Sequence, residues 1–219
     1  VIRRVLYVLR YYPTLTETFV YREIEELLRR GVDVVILALG DRLDGKGLSP
    51  LPTVPVWRLP RGLGALREGI REALAPLNRE DKTTLLWFRA QGHAWRDGVR
   101  VRLLARWIRR EQIDRIHAHF AGEAAEWALA LAALAAIPFG VTAHAVDLHR
   151  PRPSLTVVAK AARPLIVVSE HGARILRERG AEPHVIPCGI ELSHERASAP
   201  ADGPLRVIAV ARAAPKKGL

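Results

Sequence analysis

The sequence predicts an α/β fold, a Rossmann-like doubly wound parallel sheet, followed by the start of a second domain. Three observations carry this. "RRVLYVLRYYP", "TLTETFVYREIEELLRRG" and "VDVVILAL" read as strand, helix and strand, which is a βαβ unit with parallel strands. The alternation then persists to about residue 187. After a polar stretch, "SHERASAPADGP", a new apolar run "LRVIAVAR" begins close to the end of the chain.

Each element follows from its own pattern. The first strand covers roughly Val5 to Leu9. Thr14 stands three residues before Glu17, a capping-box spacing that predicts a helix start. Val20, Ile24, Leu27 and Leu28 fall on one face of that helix, and Gly31 stops it. Around "VPVWRLP" a short strand is predicted, and residues 63–112 read mainly as helices rich in Arg and Trp. "DRIHAHF" is a strand, "GEAAEWALALAALAAI" a helix, "PFGVTAH" a strand and "AVDLHRPRP" a loop. "SLTVVAKAAR", "PLIVVS", "EHGARILRERG" and "PHVIP" complete the alternation. The expected domains are residues 1–192, a linker at 193–204, and 205–219 as the first strand and loop of a second domain.

Composition narrows the class. Of the 219 residues, 49% are hydrophobic and 26% charged, as in an ordinary globular chain. Cys188 is the single cysteine, so no intrachain disulfide forms and a reducing compartment is expected. No secretory signal is read, and the longest apolar segment, Trp127 to Ile137, is too short to span a bilayer. The expectation is a cytoplasmic protein, with the inner face of the cell membrane as a second place of work. The formal charge of +11 points to anionic partners: a membrane face, nucleic acid or phosphorylated substrates.

In open parallel sheets ligands gather at the carboxyl ends of the strands. The residues to watch are therefore Tyr11 to Glu17, His117 to Phe120, Thr142 to Asp147, Ser169 to His171 and Cys188 to Glu191. A helix N-terminus after the first strand directs free N–H groups and a positive dipole end there, and Thr16 and Thr18 add hydroxyls. A well-capped structural helix explains the same residues. Ser169 reads as a helix cap, and Cys188 as buried packing.

"YYPTLTETF", "HAHFA", "IPFGVTAHAVDL", "VVSE", "VIPCGIE" and "VARAAPKKG" occur in this order. In these blocks the chain resembles the N-terminal half of a family 4 glycosyltransferase of the GT-B fold, of the colanic-acid and exopolysaccharide type. The resemblance spans almost the whole chain except the Arg/Trp helices. It implies two Rossmann-like domains facing across a cleft, the first holding the acceptor and the second the nucleotide-sugar. Thr14, Leu15 and Thr16 stand where many relatives have a glycine pair. The candidates for the acceptor or sugar cleft are Thr16, Glu17, Thr18, His119 and Asp147.

The resemblance makes His144 the catalytic candidate, lining the donor-sugar pocket. A neutral imidazole can bond the sugar, a protonated one can stabilise a departing diphosphate, and a purely structural histidine would only satisfy a loop carbonyl. Asp147 orients the loop or touches acceptor, or else caps a helix. Arg212 and Lys217 match the pair that clasps the donor diphosphate, where two fixed cations oppose developing charge; Ala211 replaces the usual glycine. The glutamate pair that relatives use for the nucleotide is missing from the sequence, so the resemblance implies a truncated enzyme, expected to be inactive alone. His117 and His119 lie two apart on one strand face. No Cys or carboxylate cluster completes a metal site in the sequence, and the family needs none, so neither metal nor cofactor is expected.

Leu103, Leu104, Trp107 and Ile108 form an apolar helix face beside Arg102, Arg106, Arg109 and Arg110. Such a face suits an anionic membrane surface, or it packs on the sheet with its arginines in water. The leading reading is a retaining hexosyltransferase using a nucleoside-diphosphate sugar and a lipid-linked or polysaccharide acceptor. The alternatives are a non-catalytic basic module for membrane or nucleic acid, and another GT-B enzyme such as a sugar-nucleotide epimerase. No nucleic-acid recognition motif supports the former.

Overall fold

In the computed structural model, residues 2–14, 16–40, 53–59, 69, 71, 75–190, 208 and 210 are described. Seven parallel strands form one sheet: β1 (Arg4–Leu9), β2 (Asp33–Ala38), β3 (Val56–Arg58), β4 (Arg115–His119), β5 (Phe139–Ala143), β6 (Leu165–Val167) and β7 (His184–Val185). The order is β3-β2-β1-β4-β5-β6-β7. The chain runs outward from β1 to β3, returns to β4 and runs outward the other way. The strand order therefore reverses between β1 and β4, which creates a crevice at their carboxyl ends.

The helices are α1 (Thr18–Arg29), α2 (Arg79–Ala90), α3 (Trp95–Arg110), α4 (Glu123–Ala135), α5 (Ala145–His149), α6 (Leu155–Ala161) and α7 (Glu170–Arg177). The sheet is buried on both faces because alternate side chains of each strand meet different helices. Val5, Tyr7, Leu9, Val34 and Ile36 pack with Val20, Tyr21 and Ile24 of α1. Leu6, Val8, Val35, Leu37, Ile116 and Val141 pack with the apolar residues of α2, α3, α4, α6 and α7 on the other face. The α/β doubly wound reading is thus the observed fold. The chain divides into two units, Val1–Gly189 and Ile190–Leu219. The expected linker at 193–204 lies outside the described residues.

Local differences have physical reasons. α1 is capped at Glu17, without a side-chain cap bond, so Thr14 does not cap it. Thr14 is buried instead, its N–H donated to the Tyr21 hydroxyl at 2.6 Å, and that hydroxyl donates to the Thr14 carbonyl. Leu28 is 37% exposed, at the margin of a stripe that Tyr21 shares. Gly31 stops the helix at φ +75°. The stretch expected as a loop after β5 begins with one helical turn, α5. Ser169 caps α7 as expected, accepting from Gly172 N–H at 3.2 Å. Cys188 is exposed, not packed. In α3, Arg102 is buried and donates to the Ala75 carbonyl at 2.9 Å. Leu104 and Ile108 of the same helix sit in the core, so most of its apolar stripe is spent on packing.

Candidate functional site

The crevice between β1 and β4 is floored by residues that the sheet register dictates. Tyr7 pairs with His117, His117 with Gly140, and His119 with Thr142. The side chains of Tyr7, His117, His119 and Thr142 thus share the face covered by α1. His117 is buried, with Nε2 at 2.9 Å from Thr142 Oγ1. Burial, with the neighbouring His119 adding to it, brings the His117 pKa down to about 3, so its imidazole is neutral.

α1 closes over this floor. The Tyr7 hydroxyl donates to Glu23 Oε1. Glu23 Oε2 lies 3.3 Å from His119 Nε2, an ion-pair distance with an alignment short of a good hydrogen bond. Burial works against the Glu23 carboxylate, but His119, His117 and the Tyr7 hydroxyl outweigh it and bring its pKa down to about 2. Tyr7 moves the other way: burial and the Glu23 charge raise its phenol well above the usual range. Glu23, His117 and His119 present atoms within 4.8 Å of one another, the one grouping among the described residues that could hold a metal ion. The sequence does show two histidines without a carboxylate; the fold supplies one from α1. Thr142 and Tyr7 already occupy two of the three groups.

Above His119 sits His144, just past β5. Its Nε2 lies 3.3 Å from His119 Nδ1. Phe19 and Phe120 flank its ring, with centroids 4.7 and 4.5 Å away. Phe120 reaches this position from a left-handed backbone, φ 69°, its N–H donated to the Thr142 carbonyl at 2.9 Å. A bulky residue rarely adopts such a backbone outside a constrained site. Burial, with His119 adding to it, brings the His144 pKa down to about 4. The imidazole is neutral at pH 7.

The remaining expected residues are placed as follows. Asp147 is buried, and its Oδ2 accepts the His144 N–H at 2.8 Å, so it caps α5 and orients the His144 loop. Burial raises its carboxyl against the backbone bonds from His144 and Ala121. Thr16 and Thr18 are exposed at the start of α1, and Glu17 is half-buried with its carboxyl raised by burial. His119 is 1% exposed and lies beneath His144 rather than at the surface. Arg212 and Lys217 lie outside the described residues. Phe120 lies in the watched stretch after β4, whereas Phe19 and Glu23 were not singled out from sequence. Phe19 and Glu23 are four apart on α1, one step around the helix from Val20 and Ile24, and that spacing is the signal that puts them over β4.

A second polar cluster borders the crevice. Glu126 of α4 is fully buried and meets His93 Nε2 at 2.9 Å, Arg152 Nε at 2.7 Å and the Ser154 hydroxyl. It ties the α2–α3 connection and the α5–α6 loop to the start of α4.

A seven-stranded parallel sheet with polar residues gathered at its strand reversal is the α/β Rossmann-like fold typical of a GT-B N-terminal domain. The chain belongs to Glycosyltransferase Family 4, whose family model matches residues 16–194. Among solved structures it is similar to the lipopolysaccharide outer core galactosyltransferase WaaB in its apo form, with TM-score 0.56, 10% identity, and coverage of 87% of this chain and 47% of that one. It is also similar to Acinetobacter baumannii MurG, with TM-score 0.51, 12% identity, and coverage of 89% and 47%. At such identities the likeness is one of fold. The chain spans less than half the length of either structure. No curated protein matches it.

Proposed function

We propose that this chain is the acceptor-side domain of a retaining glycosyltransferase that moves a hexose from a nucleoside-diphosphate sugar to a lipid-linked or polysaccharide hydroxyl. The observation that supports this reading is His144: a neutral imidazole wedged between Phe19 and Phe120 at the strand reversal of a family 4 domain. Aromatic walls and a neutral hydrogen-bonding ring suit a sugar better than a phosphate. In this reading Thr16, Glu17 and Thr18 border the acceptor, and Arg212 and Lys217 hold the donor diphosphate. No cofactor or metal enters the reaction.

Among the described residues no helix is long and apolar enough to cross a membrane. A cytoplasmic enzyme working at the inner membrane face fits a lipid-linked acceptor. The test is turnover of a panel of nucleoside-diphosphate sugars by the full-length protein. Release of nucleoside diphosphate with retained anomeric configuration in the product is expected. No release with any donor, or an inverted product, would overturn the reading.

A further inference from the structure

Two imidazoles stand in line between a carboxylate and the surface of the site. Glu23 Oε2 faces His119 Nε2 at 3.3 Å, and His119 Nδ1 faces His144 Nε2 at 3.3 Å. His119 is buried, so water cannot complete its bonds. Between the two rings one nitrogen must carry the proton and the other the lone pair. A cationic His119 would donate from both nitrogens and leave the proton of His144 on Nδ1, so the scheme requires both rings neutral, and then only two arrangements exist.

In the first, His119 carries its proton on Nε2, toward Glu23. Its Nδ1 is then a lone pair, and His144 must donate from Nε2, which leaves the lone pair of His144 on Nδ1. In the second, every proton moves to the other nitrogen, and the His119 Nε2 lone pair points at a carboxylate oxygen inside the protein. That is a repulsive contact in a low-dielectric site. The first is attractive at both contacts. Tyr7 reinforces it by donating to Glu23 Oε1, which holds the carboxylate in place and acceptor-only.

We propose that Glu23 acts through His119 to hold His144 in its Nε2–H tautomer, so that His144 Nδ1 meets the substrate as a hydrogen-bond acceptor. His144 makes no side-chain cap bond to the start of α5, because the Asp147 N–H goes to the His144 carbonyl, and this leaves Nδ1 for an incoming group. An acceptor nitrogen there takes a hydroxyl hydrogen and repels the oxygen of a phosphate, which selects the sugar portion of a ligand over its diphosphate. Glu23 and His119 are positioning residues in this scheme. It rests on the glycosyltransferase reading for the identity of the hydroxyl, and on geometry alone for the tautomer.

The experiment is long-range proton–nitrogen NMR of the histidine rings in the 15N-labelled 219-residue chain at pH 7, without substrate. His119 and His144 are both expected as Nε2–H tautomers with an unprotonated Nδ1. In Glu23→Gln the fixed Nδ1 signal of His144 is expected to be lost to a position between the two tautomers, while the backbone spectrum stays native. Glu23→Ala provides a second variant should the amide of the first create a new bond. A purely structural Glu23 would leave the His144 nitrogen shifts unchanged in both variants, and that result overturns the proposal. So does a wild-type His144 protonated at Nδ1. So does a joint shift of Glu23, His117 and His119 signals at one equivalent of added zinc, which would assign the cluster to a cation. Since no turnover is measured, these outcomes stand or fall separately from the transferase reading.

Discussion

Phe19 of α1 lies against His144 past β5, with 4.7 Å between ring centroids and 38° between planes. The contact joins two segments 125 positions apart in sequence and holds the imidazole at the strand reversal. His144 is half-buried, and its removal costs the contacts with Phe19 and Phe120 and leaves the buried His119 Nδ1 without its partner. In the full-length enzyme His144→Ala should lower the turnover number by about ten- to a thousandfold, or about 1.4–4 kcal/mol. The loss of stability should stay within about 1–3 kcal/mol, the cost of one unpaired buried group, with the fold retained. A raised Michaelis constant with unchanged turnover would reduce His144 to ground-state binding. Unchanged kinetics with a large drop in melting temperature would make it structural.

His117 and His144 make stability depend on pH in a defined direction. Their folded pKa values, about 3 and about 4, lie below the ordinary 6.5. As pH falls below 6.5 the unfolded chain takes up protons that the folded one refuses. Their contribution is therefore complete above 6.5 and lost as pH falls toward the folded values. Glu23, lowered from 4.5 to about 2, loses its contribution only below the ordinary carboxylate range, while the raised carboxyls of Glu17 and Asp147 oppose the histidines just above that range, so the histidine effect is clearest on the approach to pH 6.5. Each histidine adds up to about 1.4 kcal/mol per pH unit there. Urea melts at several pH values should show stability falling as pH drops from 6.5, and His117→Asn should flatten the slope by up to one proton. An identical slope in the variant would refute this account.

The strands were legible because a sheet buried on both faces demands continuous apolar runs, as in "VLYVL" and "VVILA". The site was legible only at residues following strands, His119, His144 and Asp147, whose position depends on local order. Glu23 was hidden among the polar residues of α1, where Glu25 and Glu26 look the same; only the pairing of Tyr7 with His117 decides which one enters the site. Phe19 lies one position off the Val20–Ile24 stripe that marks the buried face of α1, so that stripe did not single it out. α5 escaped because its cap, Asp147 to the His144 N–H, is a single bond in a short turn. The Thr14 pattern misled because Tyr21 offered that backbone a buried hydroxyl instead.

Gly140 offers a test of how tightly the floor is packed. A Cβ there would stand 3.1 Å from His117 Nδ1, from Pro164 Cδ and from the Pro164 carbonyl. That carbonyl already accepts the Val141 N–H at 3.0 Å, so the backbone cannot retreat without losing a ladder bond. Gly140→Ala should cost about 1–3 kcal/mol in chemical denaturation. Gly122→Ala, where the nearest atoms are 3.6 and 3.9 Å away, is the control and should cost less than about 1 kcal/mol. Equal losses at both positions would show that His117 and its neighbours yield easily.

A groove of about 500 Å³ runs between β3 and α3, lined by Trp57, Trp107, Arg58, Arg71, Arg106 and Arg110 among others. With the net charge of +11 it favours anionic surfaces. The protein should sediment with anionic vesicles more than with neutral ones, and salt should weaken the difference, since charges are screened over about 8–10 Å at ordinary ionic strength. Equal sedimentation with both vesicle types would argue against a membrane partner.

Glu126 is the residue whose loss should be felt most. It is fully buried on α4 and has three partners from outside its helix: His93, Arg152 and Ser154. Burial alone would raise its carboxyl; His93, Arg152 and Ser154 reverse this and lower it. Its folded pKa is depressed, so the stabilisation is present above the ordinary carboxylate range and lost as pH falls through the folded value. Removing one partner of a buried pair commonly costs 3–5 kcal/mol because the other charge is stranded. The Arg152 side chain is 43% exposed and can turn toward water, so Glu126→Ala should fall at the low end, about 3 kcal/mol. Glu126→Gln keeps an acceptor for Ser154 and should cost less, about 1–2 kcal/mol. In the double variant Glu126→Ala with Arg152→Ala, the total should be smaller than the sum of the single losses, since the two share one interaction. Strictly additive losses, or a Glu126→Ala variant as stable as wild type, would mean that the network does not hold the α5–α6 loop to α4.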